Sequence, residues 1–155
     1  MTLIELPDLI QGTDEWHDQR RGIVTASVVG RLLTATGKPA NNDTSRTLTA
    51  QLVAERITGW TDPVYVSDDM LRGTEDEPRA VDVYAEHFAP VTSTGFMVRD
   101  DWGFRIGYSP DGLVGDDGLI EVKSRRAKKQ LQTILEDAVP AENMAQIQCG
   151  LLVSG

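Results

Sequence analysis

Gly107-Tyr108-Ser109-Pro110-Asp111-Gly112-Leu113-Val114-Gly115-Asp116-Asp117-Gly118-Leu119-Ile120-Glu121-Val122-Lys123 is the stretch that decides how this chain is read. Ser-Pro before it and Gly after it place Asp111 at a turn. Leu113-Val114 and Leu119-Ile120 flank Gly115-Asp116-Asp117-Gly118, a turn sequence between two apolar runs, and so predict a β-hairpin. With the turn centred on Asp116-Asp117, Val114 pairs with Leu119 and Gly112 with Glu121, which sets Asp111 beside Glu121 at the open end. Side chains alternate along a strand, so Glu121 and Lys123 share one face while Ile120 and Val122 take the other. Two carboxylates and a lysine thus converge at one point on a sheet.

Neighbouring carboxylates raise each other's pKa unless a cation sits between them. Oxygen ligands of this kind suit Mg²⁺, with Mn²⁺ able to substitute. A lysine beside such an ion can orient a water or stabilise charge on phosphate oxygens. A bland reading of Glu-x-Lys alone is a polar hairpin with a surface salt bridge. The added Ser-Pro-Asp-Gly, in the spacing Asp-x9-Glu-Val-Lys, favours the metal reading.

The remaining composition sets bounds. At 155 residues the chain is long enough for one domain with a real core. Hydrophobic and charged contents of 40% and 25% are ordinary for a globular protein. No run reaches the length of a membrane span, and the N-terminus shows neither a basic nor an apolar leader region. One cysteine, Cys149, excludes an internal disulfide and fits a reducing, cytoplasmic setting. A net charge of −9 argues against nucleic acid when taken alone. The charge is uneven, however. Residues 68–87 carry seven acids against Arg72 and Arg79, whereas Lys123, Arg125, Arg126, Lys128 and Lys129 follow the hairpin without an acid among them. Arg20, Arg21 and Arg31 form a second basic group. Such a basic rim can hold a phosphate backbone, or it can be a solvated helix face.

In chain order, residues 1–15 read as an irregular arm, and a short helix begins near Glu15-Trp16-His17. Thr25 caps a helix over 26–33 with Val28, Val29, Leu32 and Leu33 in a stripe. Asp43 or Thr44 caps a helix running to about Thr58 and ended by Gly59, with Leu48, Leu52, Val53 and Ile57 recurring at helical spacing. A loop covers 60–70. The next helix opens at Thr74, where Thr74 and Glu77 match a capping box. Glu77 also leads the inward stripe of Val81, Tyr84 and Phe88, so its carboxylate is either a cap or part of a site. Pro78 then falls in the first turn. Residues 92–99 and 104–108 read as antiparallel strands, with the 107–123 hairpin extending the same sheet. A helix follows over 125–138 with Leu131, Ile134 and Leu135 inward. Its basic first turn opposes the helix dipole, which points to a ligand or to solubility. A last helix, 142–153, carries Met144, Ile147, Leu151 and Leu152.

With these residues in view, the chain resembles the YqaJ-type viral recombinase family of phage exonucleases, within the PD-(D/E)xK nuclease superfamily. Four blocks carry the resemblance from Trp16 to Val153. They are Trp16-His17-x-x-Arg20-x-Gly22-Ile23-x-Thr25-Ala26-Ser27, then Gly73-x-x-x-Glu77 with Ala80 and Tyr84. Ser109-Pro110-Asp111-Gly112-Leu113 with Leu119-Ile120-Glu121-Val122-Lys123 is the third, and Met144-Ala145-Gln146-Ile147-Gln148 the fourth. Any one block is weak; four in register are specific.

The resemblance implies an α/β, restriction-endonuclease-like core with a mixed sheet flanked by helices. It implies that Asp111, Glu121 and the Val122 carbonyl hold a catalytic Mg²⁺, that Glu77 joins them, that Lys123 handles the attacking water and that Gln146 orders the site. Arg20, Ser27 and Ser109 would receive a 5′-terminal phosphate, completed by Arg125, Arg126 or Lys129. His17 and Trp16 read as packing residues. The implied activity is 5′→3′ digestion of duplex DNA ends in phage recombination, in a bacterial cytoplasm, with a single-strand annealing protein as partner and no membrane association. Family members form ring-like trimers and continue past the glutamine-bearing helix into a further strand. This chain stops at Ser154-Gly155, so 1–155 reads as one nuclease domain short at its C-terminus, and the short end weighs against a ring. Rival readings are an endonuclease on the same core and a non-catalytic DNA-end-binding module. A Cas4-like enzyme needs a cysteine-bound cluster that one cysteine cannot build.

Overall fold

The computed structural model describes residues 2–155. Its elements, in chain order, are β1 (Leu3–Leu6), α1 (Asp14–Arg20), β2 (Val24–Thr25), α2 (Ala26–Val29) running into a 3-10 turn (Gly30–Leu32), α3 (Asp43–Thr58), α4 (Asp68–His87), β3 (Phe96–Arg99), β4 (Ile106–Tyr108), β5 (Gly112–Val114), β6 (Gly118–Ile120), α5 (Ala127–Glu136) and α6 (Ala141–Ser154). Among the described residues no helix is long and apolar enough to cross a membrane.

The four-stranded sheet runs β1-β3-β4-β2. β3 pairs antiparallel with β1 and β4, and β2 joins β4 in parallel, so the sheet is mixed. The arm expected over residues 1–15 is therefore partly strand: Leu3-Ile4-Glu5-Leu6 pairs with Arg99 back to Phe96. Every residue of β3 is buried, because both faces are covered. Period two divides its side chains. Phe96 and Val98 meet Trp16 and Ile23 on the α1 side. Met97 meets Ala26, Tyr108, Cys149 and Val153 on the α6 side, where Arg99 Nε also donates to the Val153 carbonyl at 2.9 Å.

β5 and β6 form the expected hairpin, with the register one residue from expectation. Val114 faces Gly118, Leu113 faces Leu119 and Gly112 faces Ile120. The loop is Gly115-Asp116-Asp117, and Gly115 at φ +59° supplies its left-handed residue. The hairpin is a separate two-stranded sheet, not an extension of the first. It is tied in through reciprocal 2.9 Å hydrogen bonds between Thr92 and Leu113.

Several helices differ from the sequence reading. α3 is capped by Asn42, whose side chain and that of Ser45 form a reciprocal capping box. Its inward face is Ser45, Leu48 and Glu55, while Val53 and Ile57 are exposed. α4 starts at Asp68 under a Ser67 cap, six residues before the expected Thr74. Thr74 and Glu77 thus lie in the helix interior and form no capping box, and Pro78 sits well past the first turn. Thr74 instead donates its hydroxyl back to the Met70 carbonyl, a bond open to threonine in mid-helix. The apolar stripe assigned inward on α5 faces solvent, with Leu131, Ile134 and Leu135 exposed, and on α6 Met144, Leu151 and Leu152 are exposed too. α6 instead buries Cys149, Gly150 and Val153. Gly150 explains the close approach, since a Cβ there would stand 2.8 Å from Tyr108 Cζ.

Candidate active site

The hairpin register that aligns Gly112 with Ile120 sets Asp111 opposite Glu121. The Val122 amide donates to Asp111 Oδ2 at 2.6 Å, fixing one carboxylate oxygen and leaving the other. Glu121 is the hub. Its side chain is 6% exposed. Lys123 Nζ, two residues on and on the same face, reaches Glu121 Oε2 at 2.9 Å. Gln146 Nε2, carried in by α6, reaches the same oxygen at 2.8 Å. The other oxygen, Oε1, is fully buried and has no hydrogen-bond partner. The Tyr108 hydroxyl, also buried without a partner, faces this carboxylate. Burial, and then the Glu121 charge, push the phenol far above its ordinary pKa.

Glu77 approaches from α4. Burial and then the charges of Asp111 and Glu121 raise its pKa, against the pull of Lys123. Asp111 is raised too, by burial first and by Glu121, with the Val122 amide and Lys123 acting the other way. Three carboxylates thus repel across one small space holding one lysine. Among the described residues no three acid, histidine or cysteine side chains close into a ready-made ion cage, as expected of carboxylates that repel without a cation between them. The donor set nevertheless fits a hard divalent cation. All donors are oxygens, and Glu121 Oε1 is a buried acceptor whose one neighbouring donor, the Tyr108 hydroxyl, stands outside standard hydrogen-bond geometry. The sequence-assigned group of Glu77, Asp111, Lys123 and Gln146 is brought together around the Glu121 carboxylate.

The phosphate-pocket residues divide. Arg20, at the end of α1, lies 4.0 Å over the Trp16 ring. Its Nη2 donates to Thr25 Oγ1 at 3.4 Å and Ser27 Oγ at 3.3 Å. Burial lowers its pKa to about 10, opposed by Glu55, so it stays cationic at neutral pH. Ser109 donates its hydroxyl to the Gly95 carbonyl at 2.8 Å. Arg125 and Arg126 line a separate groove with Arg72 and Lys129, and Arg20, Ser27 and Ser109 are not among its walls. His17 packs edge-on against Trp16, which is buried in the core.

Three residues escaped the sequence reading. In the sequence Tyr108 reads only as a strand residue. Glu55 completes the Leu48-Leu52 stripe of α3, where a carboxylate is hard to see as inward. It accepts from the Gly22 amide at 2.8 Å, and Arg56 Nε donates to the Gly22 carbonyl. α3 thereby grips both sides of the turn after Arg20, at a glycine whose φ of +68° few other residues tolerate. Arg72 lay hidden among acids, yet it reaches Ser124 Oγ at 3.0 Å.

Comparison with known proteins bears on this arrangement. A family model described as a YqaJ-like viral recombinase domain matches residues 15–155. An alkaline exonuclease, LHK-Exo from Laribacter hongkongensis, superposes with a TM-score of 0.79 at 33% identity, over 91% of this chain and 68% of that one. LHK-Exo in complex with dAMP superposes with a TM-score of 0.78 at 34% identity, over 92% and 69%. No curated protein matches.

Proposed function

The chain belongs to the YqaJ-like viral recombinase domain family, and on that premise we propose that it is a Mg²⁺-dependent deoxyribonuclease removing nucleotides from the 5′ ends of duplex DNA. The nuclease assignment follows from the family and from its likeness to an alkaline exonuclease. Metal dependence, direction and duplex ends are our reading. The observation that carries it is the Glu121 carboxylate, gripped on one oxygen by Lys123 and Gln146, with its other oxygen buried and two further acids, Glu77 and Asp111, close enough to raise one another's pKa.

Glu77, Asp111, Glu121 and the Val122 carbonyl would hold the ion. When bound, such an ion supplies Lewis-acid charge to phosphoryl oxygens. Gln146 fixes the Glu121 rotamer, and the Val122 amide fixes Asp111. Lys123 would position and help activate the attacking water from beside Glu121. The water oxygen would form the new bond to phosphorus as the P–O3′ bond breaks; the proton the water gives up, with help from Lys123, balances the one the leaving 3′ oxygen takes up, so the released unit keeps its own 5′ phosphate and the remaining strand gains a new one. The dAMP bound to LHK-Exo supports a mononucleotide as that unit. Arg20 and Ser27 would take the terminal phosphate. Contacts of this kind position a strand without reading its bases, so sequence preference is weak. The DNA would come from a recombination pathway that also needs a single-strand annealing protein.

Digestion of linear duplex with and without a 5′-phosphate tests this. Nucleotide release requires Mg²⁺ or Mn²⁺ and falls about 10²–10⁴-fold in Glu121→Ala and Lys123→Ala, the range for losing a positioned catalytic group. Release that ignores divalent ions or both substitutions would rule the reading out. Cleavage of closed circles would move it to an endonuclease.

A further inference from the structure

Six of the chain's fifteen lysines and arginines line one groove of about 600 Å³: Arg72, Lys123, Arg125, Arg126, Lys128 and Lys129. In a chain of net charge −9, that concentration runs against the molecule as a whole. Lys123 belongs both to this groove and to the Glu121 cluster, so a strand reaching the groove is continuous with whatever reacts there.

Five of these six cations already hold a partner, Lys123 at Glu121 among them. Asp69 Oδ1 accepts from Arg72 Nη1 at 2.6 Å and from Arg126 Nε at 3.0 Å. It bridges one guanidinium from α4 and one from the N-cap of α5. Lys129 pairs with Glu142 at 2.6 Å, and Arg125 donates to the Asn143 side chain. An oxyanion between two guanidinium forks is how arginines receive phosphate. The Asp69 side chain is 50% exposed and Arg126 75%, and ion pairs this open are weak and easily exchanged.

Resting on the nuclease reading above, we propose that this groove is a second phosphodiester subsite, in which the Asp69 carboxylate stands in for a strand phosphate until nucleic acid displaces it. The arginines after Lys123 then serve an internal backbone phosphate, and the Arg20 pocket serves the terminal one. A nucleic-acid strand fits better than an acidic protein segment because Lys123 joins the groove to the reacting centre.

The test is binding of a fluorescent duplex carrying a 5′-phosphate, in EDTA to prevent cleavage, across a salt series. Each lost phosphate contact lowers the slope of log K against log salt by about 0.9. Arg72→Ala with Arg126→Ala therefore weakens binding and flattens the slope by one to two such steps. Asp69→Asn, nearly isosteric, tightens binding severalfold at low salt. Asp116→Asn at the hairpin tip changes charge equally and leaves binding alone. Double-variant binding with wild-type affinity and slope overturns the subsite, as does Asp69→Asn indistinguishable from Asp116→Asn. A wild type that digests DNA while failing these tests overturns the groove alone. One that neither binds nor digests overturns the nuclease reading with it.

Discussion

At the scale of single residues, the acids of the site oppose folding at neutral pH. Glu77 and Asp111 both have folded pKa values above their ordinary 4.5 and 3.8. A carboxyl raised in the fold binds protons more tightly there than in the unfolded chain. Its ionisation therefore weakens the fold at any pH above its folded pKa. The penalty is relieved as pH falls through that value and is gone below the unfolded one. Metal-free protein should grow more stable as pH falls from neutral through the raised folded values of these two carboxyls, as measured by urea midpoints. Glu77→Gln should raise the midpoint at pH 7 and flatten this dependence while lowering nuclease activity. With Mn²⁺ the trend should reverse, because the ion needs the carboxylates deprotonated. A metal-free midpoint that falls over the same window would show that these acids are not strained. Tyr108 offers a sharper test. Its hydroxyl is buried and unpartnered, and removing an unpaired buried polar group relieves a penalty of about 1–3 kcal/mol. Tyr108→Phe should hold or raise the melting temperature; a marked loss would mean that the hydroxyl bonds Glu121 in solution.

At the scale of elements, what the sequence disclosed depended on how local the determinant was. The hairpin was legible because its turn glycines and flanking apolar pairs lie within a few residues, and only the loop count slipped, by one. Lys123 beside Glu121 followed from period two alone. The contribution of Gln146 to Glu121 needs α6 laid across the sheet, so only the family pattern pointed to it. α4 was started late because Gly73 and Thr74 imitate a helix start, whereas Ser67 supplies the actual cap. The inward face of α5 is misread from sequence because apolar spacing shows a stripe but not what covers it. On α6 the contact residue is a glycine, which carries no hydrophobic signal. Gly150→Ala tests its place. A methyl 2.8 Å from the ring of a fully buried tyrosine cannot be relieved by a flexible neighbour. Overpacking of this kind costs about 1–3 kcal/mol, against about 1 kcal/mol gained in helix propensity. The variant should lose stability or sit near wild type, and lose activity more strongly, since a displaced α6 withdraws Gln146 from Glu121. Full activity in a destabilised variant would detach α6 from the chemistry.

At the scale of the whole molecule, α6 couples the core to the site, and Cys149 reports on it. The thiol is buried beside Met97, Tyr108 and Val153, and burial raises its pKa to about 11. Thiolate is the reactive form, so at pH 8 the native thiol should alkylate on the order of 100-fold more slowly than an ordinary cysteine from ionisation alone, before steric shielding. Reaction then proceeds through opening of α6 or of the whole chain. An opening that lifts Cys149 off the sheet also breaks the 2.8 Å contact of Gln146 with Glu121, and so frees the carboxylate that would hold an ion. A ligand that binds only the closed form suppresses opening in proportion to its saturation, by about 100-fold at one hundred times its Kd. Mn²⁺ should accordingly slow iodoacetamide labelling of Cys149 in the wild type and leave the rate in Glu121→Ala unchanged. Labelling that Mn²⁺ does not slow, in protein shown by calorimetry to bind the ion, would mean that α6 opens without disturbing the carboxylates.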